Sequence, residues 1–184
     1  MNKEFREMVA RRNFVIMDTE TTGLDYPAEI CQIAIIDPAG KPLLNTLVRT
    51  KNPIPGGATF IHGIDNEMVE NAPIWLEVLP AMLDIIAGKE LVIYNADYDT
   101  RLVKWSNAVW ELPEPDYRVG GVWCAMEAYA ALYGEWNPRY GNYKWQSLSN
   151  AMRQQGLEVA EDAHSALADC QMTLKLIEHC CKEA

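Results

Sequence analysis

The sequence predicts an α/β fold, a mixed five-stranded sheet with helices on both of its faces. Two observations carry this prediction. Apolar runs of strand length come first in close succession and later alternate with segments of helical periodicity. The 184-residue length suits one domain with a sizeable core, and no internal repeat, low-complexity tract or linker divides it.

The elements follow in order. A short charged helix is expected over 2–11, forming an N-terminal helical extension (1–12) of a single domain (1–184). Phe14-Val15-Ile16-Met17 is a compact apolar run and reads as a buried strand, ending in the polar turn Asp18-Thr19-Glu20-Thr21-Thr22-Gly23. A second strand is expected over 30–36, turn chemistry at Asp37-Pro38-Ala39-Gly40-Lys41, and a return strand over 43–48, which together make an antiparallel meander. Pro53, Pro55, Gly56 and Gly57 mark a loop. Residues 65–71 read as a short helix opened by an Asx cap. Pro73 opens a helix reaching 87, with Trp75, Leu79, Met82, Leu83 and Ile86 on one face as core. Leu91-Val92-Ile93-Tyr94 is a short strand, followed by a helix over 97–109 with Asp97 as its cap. A loop over 112–121 leads to a fifth strand at 122–124 and a helix over 125–132. The Gly-, Asn- and aromatic-rich stretch 133–143 reads as a surface loop, and helices over 146–155 and 166–181 close the chain.

Composition narrows the function classes. Hydrophobic residues are 49% and charged residues 23% of the chain, which excludes a mostly disordered protein, and no apolar stretch is long enough for a membrane span. The first thirteen residues lack the apolar core and cleavage site of a secretory signal, so a cytoplasmic location is expected. Sixteen Lys and Arg against 26 Asp and Glu give a net charge of −10. Such a surface does not draw polyanions from a distance, which argues against coating of duplexes. Carboxylates converging on divalent cations would be neutralised, so nucleic acid stays open as a substrate. The cysteines (Cys31, Cys124, Cys170, Cys180 and Cys181) are odd in number and lack CxxC spacing, as fits reduced thiols rather than a disulfide framework or a zinc knuckle. Arg11-Arg12 reads as a solvated pair.

Three places could carry chemistry. Asp18 and Glu20 lie two apart at the end of a strand, so alternation turns both carboxylates to one face, as a hard divalent cation requires; alone, the pair reads equally well as solvated acids beside a turn. Asp99 follows the strand 91–94 and, with Asp97 better placed to cap, is free to point elsewhere. His164 and Asp169 are five apart. Well inside one helix they would diverge by about 140°, so a shared site requires His164 on the preceding loop.

Taken together and in order, Asp18-x-Glu20-Thr21-Thr22-Gly23-Leu24, Asn95-Ala96-x-Tyr98-Asp99 and His164-x-x-x-x-Asp169 resemble the motifs of DnaQ-like (DEDDh) exonucleases. Ile61-His62-Gly63-Ile64 with Met68-Val69 and Ala72-Pro73, and Val122-Trp123-Cys124-Ala125-Met126, resemble further family segments, the latter from a bacterial DNA exonuclease subgroup, and the chain as a whole resembles bacterial exodeoxyribonucleases and polymerase proofreading subunits. The likeness covers roughly 13–181. Two residues depart from the pattern: Tyr98 where Phe is common, and Tyr94 where His is common.

The resemblance implies a ribonuclease H-like fold and stepwise 3′–5′ hydrolysis of nucleic acid, DNA favoured, with 5′-mononucleotides released by two divalent cations, Mg²⁺ or Mn²⁺. It implies Asp18 bridging both ions, Glu20 and Asp169 completing one site, Asp99 acting through outer-shell water, and His164 as general base; an imidazole with an ordinary pKa near ~6.5 suits that task. Thr21, Gly23 and Leu24 would hold the terminal nucleotide, with Asn95 and Tyr98 nearby. His62 either touches the same nucleotide or packs its loop. Trp136, Tyr140, Tyr143 and Trp145, interleaved with Arg139 and Lys144, either stack on a single strand or pack the final helices, and packing is the favoured reading. The implied partners are nucleic-acid 3′ ends, single-stranded DNA foremost, and a polymerase or a replication or repair protein, with no membrane. Three alternatives remain: an exoribonuclease with the same catalytic set, a polymerase-associated subunit with a vestigial site, and a hydrolase of small nucleotides.

Overall fold

The apolar run at 14–17 is only the first half of its strand. In the computed structural model, which describes residues 1–182, β1 spans Phe14–Thr21 and pairs antiparallel with β2 (Ile30–Ile36), which pairs antiparallel with β3 (Pro42–Leu47). β4 (Glu90–Ile93) runs parallel to β1, and β5 (Gly121–Cys124) parallel to β4. The sheet order is β3-β2-β1-β4-β5, a mixed five-stranded sheet of ribonuclease H-like form.

Period-two alternation sorts β1 between two cores. Phe14 and Ile16 join Ala34, Ile36 and Val92 on one face, under α1 (Lys3–Arg11), α6 (Ala125–Tyr133), α7 (Leu148–Gln154) and α8 (Ala166–Lys182). Val15 and Met17 join Ile33, Ile35, Leu91 and Ile93 on the other, under α4 (Trp75–Ile86) and α5 (Ala96–Val109). Burying each such side chain contributes about 1.5–3 kcal/mol, so a one-residue slip of β1 would turn both cores inside out. A smaller cluster of Cys31, Ile54, Ile64 and Val69 fixes α2 (Gly56–His62) and α3 (Asn66–Val69) beside β2. No helix among the described residues is long and apolar enough to cross a membrane.

The structure corrects several expectations. Residues 18–21 are strand, because β2 supplies partners as far as Thr21↔Ile30, with an irregularity after Glu20. Gly56 and Gly57 open α2, where two poor helix formers pointed to a loop. Pro73 stands outside α4, whose N-cap is Ile74. The N-cap of α5 is Asn95, which puts Asp97 and Asp99 together in the first turn. The stretch 133–143 holds a small hairpin, β6 (Trp136–Asn137) with β7 (Asn142–Tyr143). Its rings do not pack the final helices: Trp136, Tyr140, Tyr143 and Trp145 are all exposed. Arg12 is not merely solvated, since it pairs with Glu178 at 3.2 Å and ties α1 to α8.

Candidate active site

The alternation that divides the core also builds the site. Continuing the face of Phe14 and Ile16, Asp18 and Glu20 point toward α8, whose first turn carries Asp169. One carboxylate oxygen from each of the three lies within 4.8 Å of the others. The opposite parity, Thr19 and Thr21, points toward α5. Thr19 Oγ1 donates to Asp99 Oδ1 (2.7 Å), holding that buried carboxylate apart from the trio. Thr21 Oγ1 meets the Tyr98 hydroxyl (2.7 Å), which donates to the Gly23 carbonyl (3.0 Å). The hydroxyl that replaces the expected Phe edge therefore stitches α5 to the end of β1.

His164 lies before α8, where the five-residue spacing to Asp169 requires it. Its backbone is left-handed (φ 73°), and its N–H donates to Asp169 Oδ1 at 3.2 Å. The bond steadies the carboxylate while leaving the imidazole exposed. A non-glycine residue held at such a φ is strained backbone retained by its surroundings.

The carboxylates disturb one another. Burial, then the charges of Asp99, Asp169 and Glu20, raise the Asp18 carboxyl well above the ordinary range. Burial, then Asp169 and Asp99, push Glu20 up to about 8. Burial lifts Asp99 to about 7 against the opposing Thr19 hydrogen bonds. Burial also raises Asp169, opposed by the His164 N–H and ring. An oxygen-only donor set whose members repel one another in partial burial fits a hard divalent cation, which supplies the missing positive charge. The nearby Cys31 thiol, pushed up to about 12 by burial and by Glu20, offers no thiolate.

Glu20 also borders a cleft of ≈ 450 Å³. Thr21, Gly23, Leu24, His62 and Tyr98, singled out in the sequence, all line it, and Leu24 is 74% exposed at its edge. Its far wall is Pro55, Gly57, Ala58 and Ile61 of α2 and the approach to it, which sequence reading missed because the segment looked like a loop. His62 lines the cleft and also packs its own loop. Its Nδ1 accepts from the Ile64 N–H (3.0 Å), which leaves the proton on Nε2, 3.2 Å from the Thr21 carbonyl. Burial lowers its pKa, and both ring nitrogens are used by the neutral form. Asn95 does not join this cleft; it lines a separate hollow with Asp97 and Trp145.

A second residue missed from the sequence is Glu29, 1% exposed between β1 and β2. Its carboxylate accepts from the backbone N–H groups of Lys51 (3.0 Å) and Asn52 (2.9 Å), the Asn52 amide (3.0 Å) and Trp110 Nε1 (3.2 Å). Its backbone N–H donates to Thr22 Oγ1 and its carbonyl accepts from the Thr22 N–H, both at 2.9 Å. One buried acid thus joins the 22–29 loop, the approach to α2 and the end of α5.

The comparisons with known proteins agree with this architecture. Residues 15–177 match the exonuclease family (RNase_T). The chain is 44% identical over 170 residues to the uncharacterized exonuclease CP81 of Escherichia phage 186, covering 89% of this chain and 86% of that protein. It is 30% identical over 95 residues to the DNA polymerase III subunit epsilon of Pasteurella multocida, covering 46% of this chain and 38% of that subunit. Among solved structures, exonuclease X in complex with 5′ overhanging duplex DNA matches with a TM-score of 0.66 and 30% identity, covering 90% of each chain. With its five-stranded sheet and acidic strand end, the chain belongs to the exonuclease family.

Proposed function

We propose that this protein is a 3′–5′ exonuclease that removes 5′-mononucleotides from DNA ends, single strands foremost, and that residues 1–184 act as one exonuclease domain. One observation carries the reading: Glu20 belongs both to the acidic trio with Asp18 and Asp169 and to the lining of the cleft that Leu24 borders. A nucleotide seated in that cleft places its phosphate at the carboxylates. Asp18, Glu20 and Asp169, with Asp99 through outer-shell water, would hold two divalent cations, Mg²⁺ or Mn²⁺. Bound there, the pair supplies a water of lowered pKa and stabilises the leaving 3′ oxygen.

The remaining roles fall to the chain's own groups. His164 takes the proton of the attacking water, its exposed ring carried on a backbone bonded to Asp169. Thr21 and Gly23, fixed by Tyr98 and by the neutral His62, present a preformed edge to the terminal nucleotide, and Leu24 packs on its base. Thr19 keeps Asp99 oriented. DNA and the 3′ direction are supported by exonuclease X, whose 5′-overhanging duplex has recessed 3′ ends. The polymerase III relative makes a polymerase the candidate partner.

The test is a gel time course on matched 5′-labelled DNA and RNA strands with Mg²⁺ or Mn²⁺, using EDTA and Asp18→Ala as controls. A ladder shortening from the 3′ end of DNA, and lost in both controls, is expected. A ladder mainly on RNA would move the substrate to RNA. Its absence on both would remove the nuclease reading and leave a subunit with a vestigial site.

A further inference from the structure

The hairpin β6–β7 is exposed, aromatic and unused by the chemistry above. Residues 133–146 contain no Ala, Val, Leu, Ile or Met but carry Trp136, Tyr140, Tyr143 and Trp145, together with Arg139 and Lys144. The tip is held rigidly: the Asn137 carbonyl accepts from Gly141 N–H (2.9 Å), its Oδ1 from Arg139 N–H (3.1 Å), and Trp136 meets Tyr143 edge-on at 5.3 Å. A hollow of ≈ 600 Å³ opens here between Tyr140, Tyr143 and Trp145, with the amides of Asn137 and Asn142 on its wall.

Trp145 also lines a second hollow, with Asn95, Ala96 and Asp97 at the start of α5, the helix whose first turn carries Asp99. The link is built in. Tyr94, at the end of β4 where the family commonly has His, donates its hydroxyl to the Gln146 carbonyl (2.8 Å) and so tethers the strand end to the residue after Trp145. Trp145 therefore connects the hairpin to the start of the helix that carries Asp99.

From this placement we infer that the hairpin is a binding platform for the single strand upstream of the terminal nucleotide. The inference rests on the nucleic-acid reading of the same site. Rings with open faces accept any base by stacking, and the amides offer hydrogen bonds to base edges. Arg139 lies over the Tyr140 ring (5.3 Å) and makes no ion pair among the described residues, so in a chain of net charge −10 it is a cation open to a phosphate. Lys144 is paired with Glu135.

The test is fluorescence anisotropy of 5′-labelled dT3 and dT12 with Ca²⁺ in place of the catalytic cation, on wild type, Tyr140→Ala/Trp145→Ala and Tyr94→Phe. Wild type is expected to bind dT12 more tightly than dT3. The double variant loses dT12 affinity by roughly tenfold or more, as stacking losses of this kind predict, and dT3 affinity by no more than about twofold, its thermal midpoint unchanged. Tyr94→Phe, which removes only the tether, is expected to lose part of the dT12 advantage. An unchanged dT12 advantage in the double variant, or no advantage in wild type, would overturn the platform while leaving the exonuclease reading intact if wild type still cleaves. Wild type that neither binds nor cleaves either oligomer would overturn both.

Discussion

At the residue scale the site turns on His164. The ring is the proposed base and the backbone is strained at φ 73°. His164→Ala should lose at least ~100-fold in turnover while isothermal titration finds Mn²⁺ binding retained; full activity would remove the base assignment. His164→Gly should be equally inactive yet fold about 1 kcal/mol more stably than the Ala variant, because glycine adopts a left-handed φ without a Cβ clash; equal denaturation midpoints would remove the strain. The carboxylates make a second prediction. Glu20 sits at about 8 against an ordinary 4.5, so between those values the folded protein holds a proton that the unfolded chain has released. Metal-free stability therefore falls as pH rises through that window. A divalent cation competes with the same protons, so Mn²⁺ should raise Tm more at pH 8 than at pH 6 in differential scanning fluorimetry. Equal gains would place the cation elsewhere.

At the element scale, Glu29 joins three segments with one carboxylate. Glu29→Ala leaves several N–H groups without their acceptor and should cost roughly 3 kcal/mol or more in urea denaturation; a loss under about 1 kcal/mol would mean the loops are held by other contacts. Nothing in the sequence separates Glu29 from a surface acid, because its donors lie 22, 23 and 81 residues away. What was legible had a period or a motif. Alternation placed Asp18 and Glu20 on one face, spacing put His164 ahead of its helix, and the meander 14–48 emerged from its apolar runs. What was not legible lacked local preference: α2 begins with Gly-Gly, and β6–β7 is two residues a side. Likewise Asn95 matches the motif, but the chain turns it to the hollow shared with Trp145 rather than to the cleft.

At the scale of the molecule, a chain of net charge −10 meets a polyanion with few cations to offer. Its affinity for dT12 should therefore vary weakly with salt, with a slope of log Kd on log[KCl] of about 2 in magnitude, as two or three phosphate contacts on a single strand would give. A slope of about 5 or more would point instead to a cationic groove along the strand's path. The sheet imposes a different kind of limit, one of parity. Even positions along β1 carry the carboxylates and odd positions the threonines, so deleting a single residue between 14 and 17 would offer hydroxyls to α8 and acids to α5. The hairpin obeys no such rule. In the evolution or engineering of this protein, a change of length in β1 would scramble the acidic site, whereas a change of length in the segment 134–146 would leave the carboxylates on their face and alter only the proposed platform.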